Sequence, residues 1–169
     1  MKISPTRLLE ALGVMAVVVS LLFVGMQLIL DRRLAVAGQY SDRSESRMAN
    51  VRTWLESDAY ISRESGLWNS GQRPIWWNEK FEEELNQSDL TGADIAVEML
   101  IAELDLLSID NLYFQYEQGL LTEEFWLNLR DTYKDRLRNP RVRAIYANTS
   151  TLLPVQKLLE EMVIEIENE

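Results

Sequence analysis

The sequence predicts an all-α protein, with one N-terminal transmembrane helix followed by a soluble bundle of about five helices. Three observations carry that expectation. Residues Ala11 to Leu30 hold twenty positions without a charge, in a chain of which 26% is charged. Gly and Pro are scarce, at 7 and 4 of 169 residues, so few positions invite a break in a helix. No Val/Ile/Thr-rich run alternates apolar and polar residues between turn signals, as a half-buried strand would. The division that follows is residues 1–33 for the leader and transmembrane helix and 34–169 for an acidic helical domain.

Twenty helical residues rise about 30 Å, the thickness of a bilayer's hydrocarbon core. The rival reading is a secretory leader, because Ala35-Val36-Ala37 before Gly38 has the spacing of a cleavage site. Against it stand the length of the apolar run, where a leader has about 7–15 residues, and the charged Asp31-Arg32-Arg33 between that run and the site. Basic residues near the span favour a cytoplasmic C-terminal domain: Arg32, Arg33, Arg43 and Arg47 follow it, against Lys2, Arg7 and the terminal amine before it. On a helical wheel Gly13, Ala16, Ser20 and Gln27 fall within about 60° of one another. They form a small, polar-tinged stripe, where a second transmembrane helix can approach closely. The plainer explanation is that small residues are common in spans and that Gln27 reaches the headgroups.

After the span, a helix is expected from Leu34 to Ile61, with Leu34, Ala37, Ser41, Ser44, Met48, Val51 and Leu55 at three- and four-residue steps. That spacing suits a packing face against the protein's own domain better than a coiled-coil seam, because serines fill two of its central positions. Ser65-Gly66 and Asn69 to Pro74 read as a loop. A short helix is expected over Ile75–Asn86, with Trp76, Phe81 and Leu85 inward and Glu82, Glu83 and Glu84 outward. The next, Gly92–Gln118, carries apolar residues on more than one face and is expected to be the central helix. Gly119 should end it, and Thr122, ahead of Glu123 and Glu124, should cap a fifth that stops near Asn139-Pro140. A helix from Pro140 to Ala147 and a last one from Leu152 to Glu167 complete the set. In that last helix Thr151 is placed to cap, and Leu158, Leu159, Met162, Val163 and Ile166 should be buried.

The segment Tyr113-Phe114-Gln115-Tyr116-Glu117-Gln118-Gly119-Leu120-Leu121-Thr122-Glu123-Glu124-Phe125-Trp126, with Arg138-Asn139-Pro140-Arg141-Val142-Arg143 downstream, resembles a family of small uncharacterised bacterial single-span membrane proteins with a C-terminal helical domain. The resemblance covers about two-thirds of the chain. It departs after the span, where members of the family have a basic, amide-rich stretch and this chain has Asp31-Arg32-Arg33-Leu34. It implies a fold and a bacterial inner-membrane attachment, and it brings no catalytic residue and no cofactor.

With no His and no Cys, the commonest general base, the commonest metal ligands and the thiol nucleophile are missing. No nucleophile elbow, phosphate loop or dinucleotide fingerprint is present. Carboxylates remain: on the central helix Asp94, Glu98 and Asp105 share one face, and Glu103 and Asp110 another. Such acids can hold a hard cation or exchange protons, but a solvated helix face is their ordinary explanation. No catalytic, cofactor or metal residue is therefore expected.

Charge is unevenly spread. Residues 53–128 hold three basic and sixteen acidic side chains, whereas 129–147 hold six basic and two acidic. Nucleic acid is excluded as a partner of so acidic a domain. The basic run Arg130, Lys134, Arg136, Arg138, Arg141 and Arg143 either balances neighbouring acidic helices or meets lipid headgroups or a partner's acidic surface. Trp76 and Trp77, about 100° apart if helical, cannot both face one core centre, so one of them is a candidate contact residue.

The expectation is a non-enzymatic accessory or scaffold subunit. Its candidate partner-binding residues are Gly13, Ala16, Ser20, Gln27, Trp76, Trp77, Arg136, Arg138, Arg141 and Arg143, and its partners are membrane lipid and a membrane protein or a second copy of itself. The alternative is a membrane-tethered ligand sensor, or a carboxylate metal enzyme using Glu98 and Asp105.

Overall fold

The computed structural model describes residues 5–73, 77–87, 89–149 and 153–169. Among them the regular structure is entirely helical: α1 (Pro5–Leu55), α2 (Asp58–Asn69), a 3-10 turn (Glu79–Phe81), α3 (Glu82–Asn86), α4 (Gly92–Glu117), α5 (Glu123–Leu137), α6 (Pro140–Ala147) and α7 (Leu153–Glu167). The chain divides into two compact units, Met1–Gln39 and Tyr40–Glu169.

In the first unit α1 leaves its large apolar side chains uncovered all round, and Ala37 is buried. Leu12, Met15, Val18, Leu21, Leu22, Phe23, Val24 and Leu28 are all exposed, although they point in every direction about the axis. Among the described residues this is the one helix long and apolar enough to cross a membrane.

The second unit is built around α4. One side of that helix places Ala102, Leu106 and Ile109 in a core with Trp126, Leu137, Ile145, Val155 and Met162 from α5, α6 and α7. Another side places Leu100 and Leu107 against Val51, with Met48, Leu55, Tyr60 and Ile61 packed around them. The central role expected of this helix is thus met, although Ile101 remains exposed. From Ser41 to Leu55 the expected packing face lies against α4: Val51 is buried, and the buried Ser44 donates its hydroxyl to the Leu107 carbonyl at 3.1 Å.

Two expected elements differ. The helix expected to reach Ile61 stops at Leu55, because Ser57 takes an extended conformation and accepts the Tyr60 N–H on its hydroxyl, capping a new helix. Asp58, in the first turn, suits that N-terminus. As a result α2 runs through Ser65-Gly66, where a loop was expected, and ends at Asn69, with Gly71 beyond it in the left-handed region (φ 77°). There Gly71 N–H returns to the Trp68 carbonyl and Gln72 N–H to that of Leu67, a pattern that closes a helix on a glycine. Where α2 packs on α4, a Cβ on Gly92 would lie 2.8 Å from the Ser65 carbonyl and 2.6 Å from the Asn69 side chain. The crossing therefore requires a residue without a side chain.

The helix expected over Ile75–Asn86 is present only as the 3-10 turn and α3. Asn78 is extended and caps the turn through Lys80 N–H, while its own N–H is held by Asn148 Oδ1 at 2.6 Å, so it cannot enter a helix. Ile75 and Trp76 lie outside the described residues, as does the expected cap Thr151. The remaining boundaries fall within a residue or two of expectation: Thr122 accepts Phe125 N–H at 3.3 Å, Gly119 takes φ 70°, and Pro140 opens α6.

Candidate functional site

The α1 stripe consists of exposed residues. Gly13, Ala16, Ser20 and Gln27 all face outward, and a Cβ at Gly13 would meet nothing within 4 Å. The Ser20 hydroxyl donates to the Ala16 carbonyl at 2.8 Å, so its proton is held within the helix and only its acceptor capacity faces outward.

Trp77 is half-buried and serves as an anchor for its own segment. Its ring lies 4.9 Å from that of Trp68, and the Arg73 guanidinium stands 5.0 Å from the Trp68 ring and 5.2 Å from that of Trp77. Glu82 closes the cluster by accepting the Trp77 indole N–H at 3.3 Å and pairing with Arg73 at 3.3 Å. This packing ties the segment before α3 to the end of α2 and occupies the indole's one donor.

The basic run on α5 and α6 is largely turned inward on the domain's own acids. Arg130 and Lys134 on α5 and Arg138 at its C-cap recur every fourth residue, and Glu165 and Glu169 lie four apart at and just beyond the end of α7. Arg130 pairs with Glu165, Lys134 with both acids, and Arg138 with Glu169 and Asp135. Arg141 pairs with Glu98, and Arg136 with Asp105 at 2.7 Å. Only Arg143, among these six, has no carboxylate within ion-pair distance among the described residues.

Asp105 joins three helices. Its Oδ2 accepts the Tyr146 hydroxyl at 2.8 Å and Arg136 Nη1 at 2.7 Å, and its main-chain carbonyl accepts the Tyr133 hydroxyl at 3.1 Å. Burial first and Asp105 second raise both phenols, Tyr133 to about 12 and Tyr146 further still, so each is a fixed hydrogen-bond donor at neutral pH.

The other acids of α4 also have separate structural duties. Asp94 forms a capping box with Thr91, whose hydrogen bonds hold its carboxyl below the usual range. Glu103 pairs with Arg47 at 3.6 Å while burial raises its pKa. Asp110 is buried and accepts the Tyr40 hydroxyl; desolvation raises its pKa against the lowering effect of that bond. Glu98 and Asp105, the pair considered for a metal, each face a guanidinium that an incoming cation would have to displace. Among the described residues no group of three or more Asp, Glu, His or Cys stands where it could hold a metal ion.

Recesses open on the domain among the described residues. One, of about 320 Å³, is lined by Glu98, Asp105, Arg136 and Tyr146 among others. Another, of about 400 Å³, lies between α6 and α7 and includes Arg143. Sequence reasoning did not single out this second recess, because its residues come from four separate stretches of chain.

Asn148, in the sequon Asn148-Thr149-Ser150, is fully buried: its amide donates to the Ala144 carbonyl at 2.8 Å and its oxygen accepts Asn78 N–H. A glycan at this position is incompatible with the folded domain. Comparison with protein-family models, with curated proteins and with solved structures finds nothing that matches this chain.

Proposed function

We propose that the protein is a single-pass membrane protein of a bacterial plasma membrane, with its C-terminal domain on the cytoplasmic side, and that it works by association as an accessory or scaffold subunit. The observation that carries this reading is the uncovered apolar surface of α1. Large side chains from Leu12 to Leu30 are exposed on all faces, an arrangement that is unfavourable in water by about 25 cal/mol per Å² and favourable in hydrocarbon. The continuous α-helix also satisfies every backbone group within the span, which a bilayer demands.

Within the span, the Gly13-Ala16-Ser20-Gln27 face offers the close backbone approach through which membrane helices associate, so this face is the docking surface for a transmembrane partner or a second copy. The acidic domain supplies the contact outside the membrane. Catalysis is the weaker reading: the candidate acids are committed to caps, ion pairs and buried hydrogen bonds, and the phenols beside them are locked as donors.

The triple variant Gly13→Leu, Ala16→Leu, Ser20→Leu keeps the span apolar while closing the stripe. It should lose its co-purifying partner in mild detergent while the domain keeps its thermal midpoint. Unchanged co-purification contradicts the stripe as the interface.

A further inference from the structure

The recess between α6 and α7 has the features of a ligand site distinct from the proposed interface in the span. Leu137, Tyr146 and Leu159 are buried beneath it, and its volume of about 400 Å³ lies in the usual range for small-molecule sites. α7 contributes Gln156, Leu159, Glu160, Val163, Ile164 and Glu167, a single helical face about 17 Å long. That face lies beside the one that α7 buries in the core through Val155, Leu158 and Met162, and it leaves Ile164 57% exposed. The helix thus carries more apolar surface than the core covers.

The charges are sorted by element. Arg143 on α6 and Lys80 on the 3-10 turn supply two cations, and Glu160 and Glu167 on α7 supply two acids. The uncharged polar groups are already engaged: the Asn78 side chain caps the turn, Thr149 donates to the Ile145 carbonyl at 2.7 Å, and Gln156 donates to Glu160 at 3.1 Å. Recognition therefore centres on Arg143 and the apolar floor, with Glu160 and Glu167 on the facing helix. A purely anionic ligand would meet two carboxylates, and a purely cationic one would meet Arg143 and Lys80.

We propose that this groove binds one single-chain zwitterionic amphiphile, an acyl chain bearing a phosphate-linked ammonium headgroup. The phosphate lies at Arg143, whose planar guanidinium matches it in two-point hydrogen bonding. The ammonium lies toward the acids of α7, and the chain covers Leu159, Val163 and Ile164. Arg143, the member of the basic run without an intramolecular ion pair among the described residues, thereby acquires a counter-charge.

The test is native mass spectrometry of the full chain in a mild non-ionic detergent, with lysophosphatidylethanolamine and lysophosphatidylglycerol of equal chain length as probes. The wild type should retain one lysophosphatidylethanolamine in preference to the glycerol lipid. Arg143→Gln should weaken that retention about tenfold or more, without moving the thermal midpoint. Glu160→Gln with Glu167→Gln should shift the preference toward the anionic lipid. Lipid held by the span is indifferent to all three changes. The proposal is overturned if the wild type retains neither probe, if Arg143→Gln retains it equally, or if the preference is unmoved by the double variant.

Discussion

Asp105 shows how a single residue in this domain is fixed by its neighbours. Removing its carboxylate in Asp105→Ala leaves the Tyr146 hydroxyl and the Arg136 guanidinium without their partner. Unsatisfied groups of this kind cost about 1–3 kcal/mol, so chemical denaturation of the variant should show a loss of that order; an unchanged midpoint would show that the hub is incidental. Asp110 behaves in the opposite sense. Burial raises its carboxyl above the ordinary value of 3.8, so the fold favours the protonated form. Its contribution to stability is full below that ordinary value and is lost as pH rises through the raised folded value. Asp110→Asn still offers an oxygen to the Tyr40 hydroxyl and never ionises. It should be more stable than wild type at pH 7, with the difference shrinking toward pH 4 in thermal unfolding of the two proteins. A variant less stable at pH 7 would contradict this. At this scale the sequence was least informative, because carboxylates at Asp94, Asp105 and Asp110 look alike in a string of letters. The cap at Asp94 is made by Thr91 three residues earlier, but the ion-pair hub and the buried hydrogen bond arise only when other helices supply Arg136 and Tyr40.

Helix ends are set by local chemistry, and most were legible for that reason. Thr122 before two glutamates, Gly119 after an aromatic helix and Pro140 at a helix start each act within a few residues of themselves, and the structure uses all three. The exceptions came from longer range. Ser65-Gly66 read as a loop by composition, yet both residues lie in α2 because that helix packs on α4. The expected helix around Trp77 gave way because Asn148, seventy residues further on, takes the Asn78 N–H. The α2–α4 crossing also makes a prediction. Gly92→Ala places a methyl group 2.8 Å from the Ser65 carbonyl, so the helices must separate. A cost of about 1–3 kcal/mol is expected in equilibrium unfolding, and a neutral effect would show that the crossing is slack. The matched spacing of Arg130, Lys134 and Arg138 against Glu165 and Glu169 was present in the sequence as two four-residue rhythms. What the sequence lacked was the information that α5 and α7 are neighbours.

At the level of the molecule, the twenty uncharged residues and the acidic domain fall in two compact units, Met1–Gln39 and Tyr40–Glu169. Most of the domain's large apolar side chains pack around α4, whereas those of α1 from Leu12 to Leu34 lie in the open. The contrast was visible in the sequence, because charge-free length and helical periodicity are both properties of the residue string. The groove between α6 and α7 was invisible for the converse reason, since its walls are assembled by packing. The central claim is that α1 places the two ends of the chain on opposite sides of a membrane. Because the protein has no cysteine, Thr6→Cys and Asn168→Cys each introduce a single reactive thiol. Labelling spheroplasts with a membrane-impermeant maleimide should modify Thr6→Cys directly and Asn168→Cys only after lysis. Equal labelling of both positions in intact spheroplasts would contradict a membrane-spanning α1.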